Sequence, residues 1–262
     1  MFSKEDILKR LTTSCFGRKL FLFETIDSTN ACAKTLAEAG VEEGATVVAD
    51  YQSNGRGRLG RPWQSEPGEN LLASVVIRPP IERENSSYIT FYAAVAIAKA
   101  IESVTGRAVE CKWPNDILLN RKKVCGILVE NSFHHDRLEF SIVGFGINVN
   151  QRSFPTPLDQ TATSLAQTLG RSFDRVELLR HILENLDELY HELQRWDFTA
   201  ILNEWNRRCT MFGNHVTVTT PGQTVSGTAV RVQEDGSLLI HTQSGDLAVY
   251  AGDVTMLSQQ KG

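Results

Sequence analysis

The segment NGRGRLGR, Asn54–Arg61, places three glycines and three arginines in eight residues. The chain as a whole is mildly acidic, with a formal net charge of −4, so this local positive charge needs its own explanation. Arginine presents a planar fork of donors that suits phosphate and carboxylate groups. Glycine lets backbone N–H groups approach an anion closely and lets the segment move. The segment therefore predicts a mobile loop that closes over an anionic ligand.

Two familiar phosphate-binding patterns do not fit this segment. No Gly-Lys-Ser/Thr follows it, as a P-loop requires, and the arginine spacing and Pro62 do not suit the dinucleotide pattern G-x-G-x-x-G. Taken alone, the segment leaves a solvated surface loop or a basic patch for RNA open. The acidic balance of the chain argues against a general nucleic-acid surface, which needs a broad basic face.

Length and composition indicate an ordinary globular protein. The chain has 262 residues, 41% hydrophobic and 22% charged, which allows one large domain with a small partner. Lys4, Glu5 and Asp6 occupy the place where a signal peptide needs an apolar run. The most apolar helical stretch, YAAVAIAKAI, is too short for a bilayer and holds Lys99. Five scattered cysteines predict free thiols, so we expect a cytoplasmic protein with no membrane partner.

Hydrophobic periodicity predicts a chain that mixes helices and strands. Helices are expected at 4–12, 28–40 and 86–104, with a helical pair within 174–208. Strands are expected at 19–25, 45–50, 71–77, 108–112, 123–131 and 138–149. From His215 the pattern changes to short alternating strands separated by PGQ, EDGS and QSG turns, which is typical of a small β-barrel.

The segment AVECKWPND, 108–116, combines a strand with a turn. Alternation puts Cys111 and Trp113 on one face and Lys112 on the other, and Pro114 ends the ladder. Lys112 and Asp116 could serve a polyphosphate and its magnesium. A purely structural role for a strand-end lysine and a turn aspartate is the alternative.

The segment SIVGFGINVN, 141–150, has one bulky face and one open face. Gly144, Gly146 and Asn148 share the open face, which leaves room for a flat ligand to lie against the backbone. A helix that packs closely on that face is the alternative. In the neighbouring segment KVCGILVE, a strict period of two puts Lys123 on the opposite face from Gly126, so a shared ligand requires a break in the alternation near residue 124.

These segments together resemble the biotin protein ligase family, also called biotin–[acetyl-CoA-carboxylase] ligases. The resemblance covers nearly the whole chain, and the loop together with KWPND is its most specific part. The matching motifs, in order, are DSTN at 27–30, ADYQSNGRGRLGRPW at 49–63, KWPND at 112–116, KVCGILVE at 123–130, GFGINVN at 144–150 and ATSL at 162–165.

The resemblance implies both a fold and a reaction. The implied fold is α+β: a mixed β-sheet flanked by helices at 1–211, similar to the catalytic domains of class II aminoacyl-tRNA synthetases and biotin ligases, followed by a small SH3-like β-barrel at 212–262. The implied reaction uses ATP, with Mg²⁺ near Asp116, to convert biotin to biotinyl-5′-AMP and pyrophosphate. The biotinyl group then passes to one lysine of the biotin carboxyl carrier protein of acetyl-CoA carboxylase or a similar biotin-dependent enzyme.

The resemblance also assigns site residues. Those implied to bind biotin are Ser28, Thr29, Asn30, Gln52, Gly55, Arg56, Gly57, Arg58, Lys123, Gly126, Leu128 and Gly144. Those implied to bind ATP or the adenylate are Arg58, Arg61, Trp63, Lys112, Asn115, Asp116, Gly146, Ile147 and Asn148. The implied catalytic residues are Arg56, Arg58, Lys112 and Lys123, whose charges can neutralise the biotin carboxylate and the α-phosphate while the substrate acts as its own nucleophile.

Many members of this family carry an N-terminal winged-helix domain that binds DNA. Only about twenty residues precede the first predicted strand here, so we expect the short, ligase-only form with no DNA partner. A lipoate or octanoate ligase on a related fold is the nearest alternative, and a deep apolar tunnel would favour it. A biotin-responsive transcriptional regulator and an RNA-binding loop on an unrelated enzyme are the alternatives from other classes.

Overall fold

A seven-stranded sheet forms the centre of the molecule in the computed structural model, which describes residues 2–220 and 222–256. Its strands lie in the order β1-β2-β3-β7-β6-β5-β4. β1 and β2 run parallel and every other neighbouring pair runs antiparallel, so the predicted mixed sheet is confirmed. The strands are β1 (Leu20–Ile26), β2 (Thr46–Gln52), β3 (Leu71–Ile77), β4 (Glu110–Lys112), β5 (Asp116–Leu119), β6 (Lys122–His134) and β7 (Arg137–Ile147).

Helices cover both faces of this sheet. The helices are α1 (Lys4–Leu8), α2 (Thr29–Glu38), α3 (Tyr88–Thr105), α4 (Leu158–Thr161), α5 (Leu165–Leu169), α6 (Arg175–Gln194) and α7 (Phe198–Arg208). α3 is apolar almost all round because it is buried between the sheet and α6, within the main core. α2 packs on the opposite face, where Ala33 and Ala37 contact Val47, Val76 and Ile142. No helix in the described residues is both long and apolar enough to cross a membrane.

The C-terminal region forms a separate five-stranded antiparallel sheet, which confirms the predicted small β-structure. Its order is β11-β10-β9-β8-β12, with strands β8 (His215–Thr219), β9 (Thr224–Val232), β10 (Leu238–Thr242), β11 (Gly245–Val249) and β12 (Asp253–Met256). Its apolar face joins the main core. Trp113 of the KWPND motif donates its indole N–H to Gly236 O at 3.0 Å, which ties this sheet to the β4–β5 turn. The domain division at 211 and 212 stays a prediction.

Several short elements differ from the sequence predictions. The helix expected at 4–12 ends at Leu8, and β5 and β12 were not predicted. The turn predicted after Pro114 is confirmed, although Asp116 already begins β5, so the turn closes a β4–β5 hairpin. β6 extends beyond the predicted 131 because it continues as a long hairpin with β7, whose tip is fastened by Arg83 N–H to Asp136 O at 2.8 Å.

The expected break of alternation near residue 124 is confirmed. Ile117 pairs with Cys125, whereas the next residue of β5, Leu118, pairs with Lys123. Val124 is therefore an extra residue in β6, a β-bulge that turns Lys123 to the same face as Gly126. The bulge is what lets one pocket contain the lysine and the glycine.

Candidate active site

A pocket of about 270 Å³ opens on the face of the sheet formed by β6 and β7, beside the N-terminus of α2. Its size is at the small end of ligand sites. The Asn54–Arg61 segment covers one side. The predicted site residues that line it are Ser28, Thr29, Asn30, Gln52, Arg56, Gly57, Arg58, Arg61, Trp63, Asn115, Asp116, Lys123, Gly126, Leu128, Gly144, Gly146 and Asn148.

Three predicted site residues do not line the pocket. Ile147 is fully buried in the main core, because alternation along β7 directs its side chain away from Gly146. Gly55 lies beneath the loop, where its O accepts from Trp63 N–H at 2.9 Å. Lys112 lies behind the lining residues, close enough for Asp116 and Asp253 to raise its pKa, although burial dominates and lowers that pKa below the ordinary lysine value.

One end of the pocket is polar and uncharged. Ser28 caps α2 by accepting from Ala31 N–H at 3.4 Å, which places the next residue, Thr29, at the pocket. Gln52, the last residue of β2, accepts from Thr29 N–H at 2.7 Å and lies 2.9 Å from Thr29 Oγ1. We call this end, Ser28, Thr29 and Gln52, the polar end.

A buried hydrogen-bond network supports the polar end from below. Ser74 Oγ, on the fully buried strand β3, lies 2.8 Å from Thr29 Oγ1 and 2.6 Å from Asn30 Oδ1. Asn30 Nδ2 donates to Leu128 O at 3.2 Å and to Glu130 Oε2 at 2.6 Å. The network joins α2 to three strands, so the polar end has a fixed geometry.

The glycine face of the sheet is covered partly by Asn30, in the first turn of α2, and partly by Trp63. A Cβ added to Gly144 would lie 1.8 Å from Asn30 Oδ1, and one on Gly146 would lie 2.5 Å from the Trp63 indole. A Cβ on Gly126 would lie 2.9 Å from the same ring. Of the two alternatives left by the sequence, close packing by a helix holds at Gly144, Trp63 covers Gly146 and Gly126, and a flat ligand on this face stays a prediction.

The other end of the pocket carries charge, and we call it the cationic end. Lys123 Nζ lies 2.7 Å from Asp116 Oδ1 and 5.6 Å from the centroid of the Trp63 ring. Arg58 Nη1 donates to Asn115 Oδ1 at 3.3 Å. Burial lowers the pKa of Arg58, while Asp253 and Asp116 oppose that shift. An anionic ligand would stabilise the charged forms of Lys123 and Arg58, because a nearby negative charge offsets the cost of burying a cation.

The glycine-arginine loop is folded onto itself. Gly57 N–H donates to Arg61 O at 2.7 Å and Trp63 N–H to Gly55 O, so the two ends of the loop pair like a small hairpin. Leu59, at the tip, has a positive φ of 56° and is 61% exposed. The sequence prediction of a loop is confirmed, and its mobility stays a prediction.

The C-terminal sheet contributes to the cationic end. Arg61 forms an ion pair with Asp253, the first residue of β12, and Arg58 Nη1 donates to Gly252 O at 3.4 Å. Asp253 also lines the pocket. The loop is thus held between the β4–β5 turn and the small sheet.

Sequence reasoning missed several residues at or below the pocket. Asp253, Phe154 and Leu158 line it but come from segments that carried no motif. Ser74 and Glu130 lie in the supporting network. Ser74 had a readable signal, as the single polar residue of the otherwise apolar strand LLASVVI.

Two polar atoms at the pocket are buried without a hydrogen-bond partner among the described residues. They are Trp63 Nε1 and Asn148 Oδ1, a donor and an acceptor. A ligand that presents both kinds of group could satisfy them, since buried polar atoms are normally paired. Across the described residues no cluster of three or more His, Cys, Asp or Glu could hold a metal ion.

Comparisons with known proteins concern the chain as a whole. The Biotin/lipoate A/B protein ligase family model matches residues 22–148, and the biotin protein ligase C-terminal domain model matches residues 211–257. A bifunctional ligase/repressor BirA from Bacillus spizizenii is 38% identical over 97% of this chain and 79% of its own length. A biotin–[acetyl-CoA-carboxylase] ligase from Paracoccus denitrificans is 31% identical over 87% of this chain and 96% of its own length.

A solved structure shows the same fold. The biotin protein ligase from Aquifex aeolicus in complex with biotin and ATP superposes with a TM-score of 0.78, is 31% identical, and covers 92% of this chain and 99% of that one. The chain belongs to the biotin protein ligase family.

Proposed function

We propose that this protein is an ATP-dependent biotin protein ligase. It converts biotin and MgATP to biotinyl-5′-AMP and pyrophosphate, and then transfers the biotinyl group to a lysine of a biotin carboxyl carrier domain. The observation that carries the proposal is the division of one pocket into an uncharged polar end and a cationic end. Biotin has the same division, with a neutral ureido ring at one end and a carboxylate at the other.

The first step joins two anions. A carboxylate oxygen attacks the α-phosphorus, and the bond from that phosphorus to the pyrophosphate oxygen breaks. Arg58, Lys123 and, behind them, Lys112 lie where they can offset the charges of both groups. Positioning and electrostatic stabilisation supply the catalysis, because the substrate brings its own nucleophile.

Magnesium enters as part of the nucleotide substrate. Mg²⁺ is usually held by one or two carboxylates together with substrate phosphates. Asp116, which faces Lys123 at 2.7 Å, fits that role, and its lysine partner can then turn to the phosphate. The magnesium site near Asp116 is part of the proposal.

The second step requires that the mixed anhydride survive until a lysine arrives. The amine nitrogen attacks the biotinyl carbonyl carbon, AMP leaves, and the nitrogen loses its proton. A closed loop over the anhydride excludes water. The hairpin pairing of the loop and its contacts with Asn115 and Asp253 support this role.

A lipoate or octanoate ligase is the nearest alternative, because the matching family model covers both kinds of enzyme. The polar end opposes it. Thr29, Gln52 and the buried Ser74 occupy the place where a fatty or dithiolane chain would need apolar contacts. Burying these groups against an apolar ligand would leave polar atoms unpaired.

A regulatory role is the alternative from another class, because four relatives are named bifunctional ligase/repressor BirA. In the described residues before β1, the single helix α1 has five residues and does not make a helix-turn-helix. That the ligase acts without a DNA partner stays a prediction. Its location in the cytoplasm stays a prediction.

The deciding experiment compares ligands in one assay format. Thermal shift with biotin, lipoate and octanoate should show stabilisation by biotin alone, and pyrophosphate release should require both biotin and MgATP. Labelling of a purified biotin carrier domain should then follow, whereas its acceptor Lys→Arg variant should stay unlabelled. Stabilisation by lipoate, or failure to label any carrier lysine, would contradict the proposal.

The DNA alternative has its own measurement. DNA binding is measured by a gel-shift titration at low salt, where non-specific electrostatic binding is strongest. We expect weak binding that does not depend on sequence or on biotin. Tight, sequence-dependent binding stimulated by biotin would show a regulator instead.

A further inference from the structure

The buried network below the polar end fixes the direction of its hydrogen bonds. Asn30 Nδ2 faces two atoms that can only accept, Leu128 O at 3.2 Å and the Glu130 carboxylate at 2.6 Å. Both amide hydrogens are therefore used there, and the amide cannot be turned round without placing its oxygen against two acceptors. Asn30 Oδ1 must then point at Ser74.

This arrangement fixes the donor and acceptor roles of the Ser74 hydroxyl. Its Oγ is 2.6 Å from Asn30 Oδ1, which has no hydrogen, so the single Ser74 hydroxyl hydrogen is donated to Asn30. Toward Thr29 Oγ1, 2.8 Å away, Ser74 can only accept. Ser74 is fully buried, so water does not offer an alternative partner.

The donor and acceptor roles of Ser74 restrict the hydrogen bonds that the Thr29 hydroxyl can make. Its hydroxyl hydrogen has two acceptors within reach, Ser74 Oγ at 2.8 Å and Gln52 Oε1 at 2.9 Å. Gln52 Oε1 is held as an acceptor by Thr29 N–H at 2.7 Å. Whichever acceptor takes the hydrogen, Thr29 Oγ1 presents only lone pairs to the pocket.

We infer that Glu130, Asn30 and Ser74 are positioning residues that hold the Thr29 hydroxyl as an acceptor, and that they select ligands which present an N–H group at the polar end. The inference rests on the proposed function, because the ureido N–H of biotin is the group that meets this acceptor. None of the three need touch the ligand: they act by setting where the hydrogens lie.

Ser74→Ala is the main test, and Ser141→Ala is its matched control. Ser141 is also a fully buried serine of the central sheet, on β7, and its Oγ has no hydrogen-bond partner among the described residues. In pyrophosphate release we expect S74A to raise the KM for biotin about tenfold, with kcat and the KM for ATP unchanged. S141A should match the parent protein.

Glu130→Lys tests the direction of the hydrogen bonds in the network without altering the buried core, because Glu130 is exposed. A donor at 130 favours the reversed amide of Asn30, which returns the Ser74 hydrogen to Thr29 and lets Thr29 donate into the pocket. The probe pair is biotin and biotin methylated on a ureido nitrogen. We expect the preference for biotin over the methylated analogue to fall about fivefold in E130K. Glu139→Lys, the same charge change on the neighbouring strand β7, should keep the preference of the parent protein.

The outcomes separate this inference from the proposed function. If the parent protein neither binds biotin nor releases pyrophosphate, the proposed function fails. If the parent protein is active, the inference is overturned when S74A equals S141A, when kcat falls and both KM values rise together in S74A, or when E130K keeps the parent preference. Thermal unfolding of S74A beside S141A shows whether a change in KM reflects lost folding.

Discussion

The two ends of the pocket are built in opposite ways. The polar end lies on α2 and the strands β2 and β3, its side chains are neutral, and a buried network fixes them. The cationic end lies on a loop and a turn, and its arginines reach carboxylate and carbonyl groups of a different sheet. Neutral recognition gains from rigidity, because each hydrogen bond must meet its partner. Charge neutralisation tolerates movement, because Coulomb forces are long-ranged and the anions must enter and leave.

Lys123→Ala should have the largest effect, since in the proposed function Lys123 offsets the charges of the reacting anions. Loss of one group that stabilises the transition state costs about 100-fold to 1,000-fold in rate. We expect that loss in pyrophosphate release at saturating substrates, with the thermal shift by biotin largely kept. Lys122→Ala is the matched control, because the neighbouring Lys122 is exposed and donates to Asp159 O at 2.8 Å. Equal rates in the two variants would mean that Lys123 is only a structural partner of Asp116.

Two glycines on one face of β7 allow the polar end and the cationic end of the pocket to be disrupted separately. Gly144→Ala places a methyl group against Asn30, and Gly146→Ala places one against the Trp63 ring. We expect Gly144→Ala to raise the KM for biotin by up to about 100-fold, because the polar network must shift. Gly146→Ala should mainly raise the KM for ATP, because Trp63 is displaced. Steady-state pyrophosphate release with each substrate varied in turn measures both KM values, and identical changes in the two variants would show that the two ends are not independent.

Arg58→Gly tests whether the loop retains the intermediate. The variant should still form some adenylate but lose it faster, because closure loses its contacts with Asn115 and Gly252 O. A charge-assisted contact is worth about 1.5–3 kcal/mol, so retention should weaken about tenfold to 100-fold. Dissociation of labelled biotinyl-5′-AMP measures this, with Arg107→Gly, an exposed arginine outside the pocket, as control. An adenylate that leaves as slowly as from the parent protein would disprove the retention role.

Loop mobility has a direct measurement. Trypsin should cut after Arg56 or Arg58 slowly when biotinyl-5′-AMP is saturating and faster without ligand, because three like charges then lack an anion. Cleavage at the same rate in both conditions would show that the hairpin contacts alone hold the loop.

The sequence predicted the parts of this site that depend on local pattern. Alternation along β7 placed Gly144 and Gly146 on one face, and the break of alternation that a ligand shared by Lys123 and Gly126 requires near residue 124 is present as a bulge. Ile147, which the resemblance assigned to the nucleotide, lies in the core, because alternation directs its side chain to the face opposite Gly146. A glycine indicates that space is left above the strand but not which group fills it, so the contact of Trp63 with Gly146 was not predicted.

Long-range contacts could not be predicted in the same way. The ion pair between Arg61 and Asp253 joins residues 192 positions apart, and nothing in the strand that begins at Asp253 marks it as part of the pocket. The network of Asn30 and Glu130 spans 100 positions and depends on the register of β6 against β7. Such contacts follow from how elements pack, which periodicity alone does not determine.

Asp253→Asn should have the smallest effect and concerns the contact between the two sheets. The ion pair of Asp253 with Arg61, whose side chain is 64% exposed, contributes at most about 1 kcal/mol. In the proposed function nucleotide phosphates compete with Asp253 for this arginine. Without the carboxylate, Arg61 is free for the phosphates, and the KM for ATP should fall about twofold to fivefold at low salt, with the difference shrinking as salt is added.

Asp253 also raises the pKa of Lys112, so the loss of ATP binding at alkaline pH should move to lower pH in the variant. Asp246→Asn, which removes an exposed carboxylate paired with His241 in the same small sheet, is the matched control and should change neither quantity. A higher KM for ATP in Asp253→Asn would instead mean that Asp253 binds the nucleotide with its magnesium.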